Sequence, residues 1–84
     1  MKSTEISIAD NACYGVFNNG IMIFHGTMSD CIEVSRCYAE DKEGEMYRIG
    51  LAEPSEEYGR IVLGTPIMTY TRDGGTIYVI NELF

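Results

Sequence analysis

The sequence predicts one α+β domain: an antiparallel sheet of about five to six strands, built on two hairpins, with one amphipathic α-helix packed on one face. Three observations predict it. Asn19-Gly20 joins two runs rich in β-branched and aromatic residues. Thr27 to Asp41 carries apolar residues at the helical period. From Met46 onward, short β-rich runs alternate with Gly, Pro and Asp, and Asp73-Gly74-Gly75 offers a second tight turn.

In chain order, Glu5 to Ala9 alternates and reads as a short edge strand, and Asp10-Asn11 as a turn. Ala12 to Phe17 and Ile21 to His25 form the first hairpin. A two-residue Asn19-Gly20 loop is a type I′ signal, because both positions take positive φ. That loop pairs Phe17 with Met22, Val16 with Ile23, Gly15 with Phe24 and Tyr14 with His25. Both hairpin faces are then partly apolar. One packs on the helix; the other needs a second layer or an interface, for which Phe17, Met22 and Phe24 are the candidates.

Thr27 is a good N-cap, with Asp30 three residues on at the positive end of the helix dipole. Gly44 lies just past the end, as a stop. At about 100° per residue, Met28, Cys31, Ile32, Ser35, Tyr38 and Ala39 share one side, with Val34 flanking them. Asp30, Glu33, Cys37, Glu40 and Asp41 share the other. Four carboxylates thus run along about 16 Å of helix, with Arg36 the one cation nearby.

Met46 to Leu51 reads as a strand with Tyr47, Ile49 and Leu51 on one side. Ala52 to Gly59 is irregular and acidic, with a turn at Pro54, and reads as a loop. Arg60 to Leu63 is a strand interrupted by Gly64-Thr65-Pro66. Ile67 to Thr71 and Thr76 to Ile80 make the second hairpin. With Asp73-Gly74 as its loop, Thr71 pairs with Thr76, Tyr70 with Ile77 and Met68 with Val79; the adjacent Gly75 leaves that register open by one residue, a shift that would swap the faces.

Composition bounds the function. A chain of 84 residues gives one domain over residues 1–84, and 45% hydrophobic content is that of a folded chain. Six basic against thirteen acidic residues give a net charge of −7. That sign opposes direct contact with nucleic acid, which needs cations to neutralise phosphates, and opposes anionic membranes. It favours a basic protein partner. No apolar run reaches the roughly 18 residues of a membrane span, and no signal-type segment opens the chain. Cys13, Cys31 and Cys37 are odd in number without paired spacing, which predicts a reduced, cytoplasmic setting.

No catalytic constellation emerges. His25 is the sole histidine, with no flanking signature for a Cys–His dyad. Cys13, His25, Cys31 and Cys37 lack the close ligand pairs of a zinc site. Glu53, Glu56 and Glu57 lack the alternating Asp/Asn and Gly of a calcium loop. The expectation is a non-enzymatic protein with no cofactor and no metal.

The run Tyr14-Gly15-Val16-Phe17-Asn18-Asn19-Gly20-Ile21-Met22-Ile23-Phe24-His25-Gly26-Thr27, followed by an amphipathic helix and a strand, resembles small acidic phage and mobile-element accessory proteins. Anti-CRISPR-like and other anti-defence inhibitors are among these. The resemblance covers residues 12 to 51 and lies in the order of elements. It implies action by binding rather than by chemistry, and assigns no residue a role.

Two expectations follow. In the first, the protein occupies a basic, nucleic-acid-binding surface of a host protein through Asp30, Glu33, Glu40 and Asp41 on the helix and Glu53, Glu56 and Glu57 on the loop. A row that only keeps the chain soluble is the plain alternative. In the second, a homo-oligomer sequesters a small ligand such as a nucleotide signal near Arg60 and Arg72.

Overall fold

A computed structural model describes residues 14–82. The strand at Glu5 to Ala9, the turn at Asp10-Asn11, Cys13 and the last two residues lie outside the described residues. The elements are β1 (Tyr14–Asn18), β2 (Ile21–Gly26), α1 (Met28–Asp41), β3 (Met46–Ser55), β4 (Arg60–Asp73) and β5 (Thr76–Asn81). The strands form one antiparallel sheet in the order β2-β1-β3-β4-β5. Five strands are therefore described, joined by three hairpins rather than two, and α1 returns the chain from β2 to β3 beside β1.

The first turn forms as its residues dictate, with Asn19 at φ 56° and Gly20 at φ 80°. Phe17 sits opposite Met22. A β-bulge then leaves Ile23 unpaired, so Val16 faces Phe24, Gly15 faces His25 and Tyr14 faces Gly26, one residue on from the expected register. The bulge turns Phe24, rather than Ile23, onto the helix-covered face, where it packs against the core.

The second hairpin is also corrected. Its loop is Gly74-Gly75, at φ 63° and 84°, so Asp73 pairs with Thr76 and Tyr70 with Val79. Two glycines meet a positive-φ requirement at less strain than Asp-Gly does. The register moves by two residues, which preserves the face of each side chain.

Thr27 caps α1, its Oγ1 accepting from the Asp30 amide at 3.1 Å. The buried stripe is Cys31, Ser35 and Ala39, small residues that let the helix lie close on Val16, Tyr47, Ile49 and Tyr70. Tyr38 is half-exposed but stacks on Tyr47, ring centroids 5.3 Å apart at 30°. The Ser35 hydroxyl is buried with no hydrogen-bond partner.

The largest departure from expectation lies between β3 and β4. The predicted loop at residues 52–59 and the predicted break at Gly64-Thr65-Pro66 belong to one continuous hairpin arm, paired out to Ser55 opposite Arg60. Register shifts flank Gly50, where the arm bends. A Cβ at Gly50 would collide with Leu63 Cδ1 and the Thr65 carbonyl, and one at Gly64 would collide with the Glu53 carboxylate. The arm curls over the face away from the helix. Arg60 Nη1 donates to the Gly20 carbonyl at 3.0 Å, tying the arm's tip to the β1–β2 turn. Beneath it Phe17, which alternates with Val16 and so points away from the helix, is only 1% exposed.

Candidate functional site: the acidic face of the helix

Two groups of acids among the described residues differ in what they touch. Those of the first group hold the fold. Glu43 accepts from the Gly74 amide at 2.6 Å and pairs with Arg72 at 3.8 Å, stapling the segment after α1 to the β4–β5 turn. Glu45 accepts from Asn18 Nδ2 at 3.0 Å, and its carbonyl accepts from the Thr71 hydroxyl at 2.8 Å. Glu82 pairs with Arg48 at 3.0 Å and accepts from the buried Thr69 hydroxyl at 3.3 Å.

The second group is unengaged. Asp30, Glu33, Glu40 and Asp41 are exposed on α1, and among the described residues none of their carboxylates meets a hydrogen-bond or ion-pair partner. The last turn of α1 holds no basic residue, so Glu40 and Asp41 sit where the helix dipole disfavours anions. Arg72 reaches across from β4, but donates to the Glu40 backbone carbonyl at 2.6 Å rather than to its side chain. Cys37 is an exposed free thiol in the same face.

Glu53, Glu56 and Glu57 belong to a different element, with Glu56 and Glu57 in the tip of the β3–β4 arm. The structure therefore puts the predicted acids on two separate elements, a row on the helix and a cluster on the arm. The structural duty of Glu43 and Glu45 carried no local sequence signal, because their partners Arg72, Gly74 and Asn18 lie far along the chain.

The interface expected at Phe17, Met22 and Phe24 is used up within the protomer. Phe17 is buried, Met22 is half-buried beside it, and Phe24 packs against the helix-side core. Within one copy of the chain Arg60 and Arg72 do not come together. They start and nearly end β4, and each is engaged locally, Arg60 over the Tyr58 ring at 5.8 Å and on Gly20, Arg72 on Glu40 and Glu43. Arg60 lines a groove of about 370 Å³ at the arm's tip, and Arg72 one of about 520 Å³ beside Met46, Tyr78 and Ile80.

Among the described residues no group of three or more His, Cys, Asp or Glu is placed to hold a metal ion. No described helix is long and apolar enough to cross a membrane. No protein-family model, curated protein or solved structure matches the chain.

Proposed function

We propose that this is a small non-enzymatic binding protein that sets the outer face of α1 against a basic surface of a partner protein. The observation that supports this is the row Asp30, Glu33, Glu40 and Asp41, held on a helix with no partner among the described residues, while Glu43, Glu45 and Glu82 are all engaged. A basic surface that otherwise grips nucleic-acid phosphates has the complementary charge, and occupying it would make the protein an inhibitor of anti-defence type. Rigid spacing gives such a row selectivity that net charge alone does not supply.

The test is calorimetric titration with an arginine-rich peptide over a range of salt. Glu33→Gln, Glu40→Gln and Asp41→Gln together should weaken binding by about tenfold and flatten its salt dependence. Glu53→Gln, Glu56→Gln and Glu57→Gln together change net charge equally and should weaken it far less. Equal losses in the two triple variants would mean that only net charge matters, and the helix face would lose its claim.

A further inference from the structure

We infer that two copies of this chain pair through β5, edge to edge and antiparallel, to join the five described strands of each into one continuous sheet. Among the described strands, Thr76–Asn81, Thr-Ile-Tyr-Val-Ile-Asn, is the outermost of its side of the sheet. It lacks three of the devices that guard such edges: it has no charged residue, no proline and no bulge in its pairing with β4. Tyr78, Val79 and Ile80 are 51%, 53% and 43% exposed, three large apolar side chains in succession. Met46 and the apolar groove beside Tyr78 and Ile80 continue that surface.

The hydrogen-bond phase of β5 follows from one contact. The Glu82 amide donates to the Ile67 carbonyl at 2.8 Å, in the same register as the rest of the β4–β5 ladder. Antiparallel ladders alternate, so Ile80, Tyr78 and Thr76 turn their backbone groups toward β4. Ile77 and Val79 turn theirs toward the edge. A two-fold axis through Tyr78 lets Ile77 of one copy exchange hydrogen bonds with Val79 of the other, and the reverse. Tyr78 then meets its own counterpart across the axis on one face. Val79 meets Ile77, which packs against the helix-side core, on the other.

A second copy fits better than an open chain of copies. The opposite edge, β2, is interrupted by the Ile23 bulge, and Arg60 occupies the carbonyl of Gly20 at its start. Joining β5 to β2 of the next copy would meet that irregular edge. Joining β5 to β5 closes the assembly at two. The net charge of −7 does not oppose it. Each α1 is centred over β3, so the two helices lie on the same face roughly 24 Å apart, about five strand spacings, well beyond the screening length of roughly 8 Å.

The test is light scattering on the full chain, with amide exchange read residue by residue. The wild-type mass should be twice 9.4 kDa. The Ile77 and Val79 amides should exchange as slowly as that of Tyr78, which β4 already holds. Tyr78→Lys and Val79→Lys, each at a half-exposed position, should return the mass to 9.4 kDa, keep the far-ultraviolet spectrum and restore fast exchange at Ile77 and at position 79. A wild-type mass of 9.4 kDa overturns the inference, whether the two amides exchange fast or are covered by a segment of the same chain. A dimer that survives both lysine variants overturns it too.

Discussion

Leu63 of β4 fills the space directly above Gly50 of β3, so the missing side chain at Gly50 is what lets the arm fold over. Gly50 has ordinary backbone angles and is needed for room rather than for φ. Gly50→Ala should destabilise the protein by about 1–3 kcal/mol, since the Thr65 carbonyl cannot move aside as Leu63 can. Urea unfolding measures it. Gly44→Ala, where a Cβ meets open space, is the comparison that isolates packing from backbone strain at a positive φ of 86°.

Phe17 reports whether the space beneath the arm is a true core. Phe17→Ala should cost about 3–5 kcal/mol, as for a buried aromatic. Met46→Ala, on the same face but 53% exposed, should cost about 1 kcal/mol or less. Similar losses at the two sites would show the arm to be loosely seated.

Ser35→Ala should raise stability by about 0.5–1 kcal/mol. It removes a buried hydroxyl that has no partner and substitutes a better helix former. A loss instead would reveal a hydrogen bond made by that hydroxyl in solution.

The ends of α1 respond in opposite directions. Thr27→Ala removes the acceptor for the Asp30 amide and should cost about 1 kcal/mol. Asp41→Lys exchanges an anion for a cation at the negative end of the dipole and should stabilise by about 0.3–1 kcal/mol, while weakening binding to a basic partner. Thermal unfolding and the peptide titration together separate the two effects.

Burial, then the neighbouring carboxylate of Glu45, raises the Tyr47 phenol above its ordinary value of 10.0, with smaller contributions from Tyr38 and Asp41. A raised acid is held neutral in the folded state, so its effect on stability is absent below the unfolded value. As pH rises past 10, the unfolded chain ionises first and stability falls until the folded phenol ionises as well. Absorbance near the tyrosinate band should show one tyrosine titrating late, and Tyr47→Phe should lessen the alkaline loss.

The sequence made the helix legible, because cap, stripe and stop all agree over Thr27 to Gly44 and need only local chemistry. It made the first tight turn legible for the same reason, and the presence of the second, but not which two residues form its loop. The register beyond the first turn was not legible: nothing in Val16-Phe17 or Ile23-Phe24 announces a bulge that the packing of Phe24 on the helix selects. The arm reads as a loop in the sequence because Pro54 and three glutamates suppress a strand pattern. Pro54 nevertheless pairs opposite Ile61, out where β4 is the neighbour of β3 among the described residues. The acidic row on α1 could be read from periodicity, whereas the engagement of Glu43 and Glu45 within the fold depends on contacts made only on folding.

Three of the four strand pairings close over short turns; only β1 with β3 does not. Everything between those two strands, β2 and α1, must be drawn into a loop before Val16 can meet Ile49. A formed helix shortens the journey, since its 14 residues span about 21 Å instead of the roughly 46 Å of extended chain. Weakening α1 at Thr27 should therefore slow folding, and loosening the arm at Gly50 should chiefly hasten unfolding. The same segment that shows its carboxylates to the solvent should then set the pace at which the sheet is assembled.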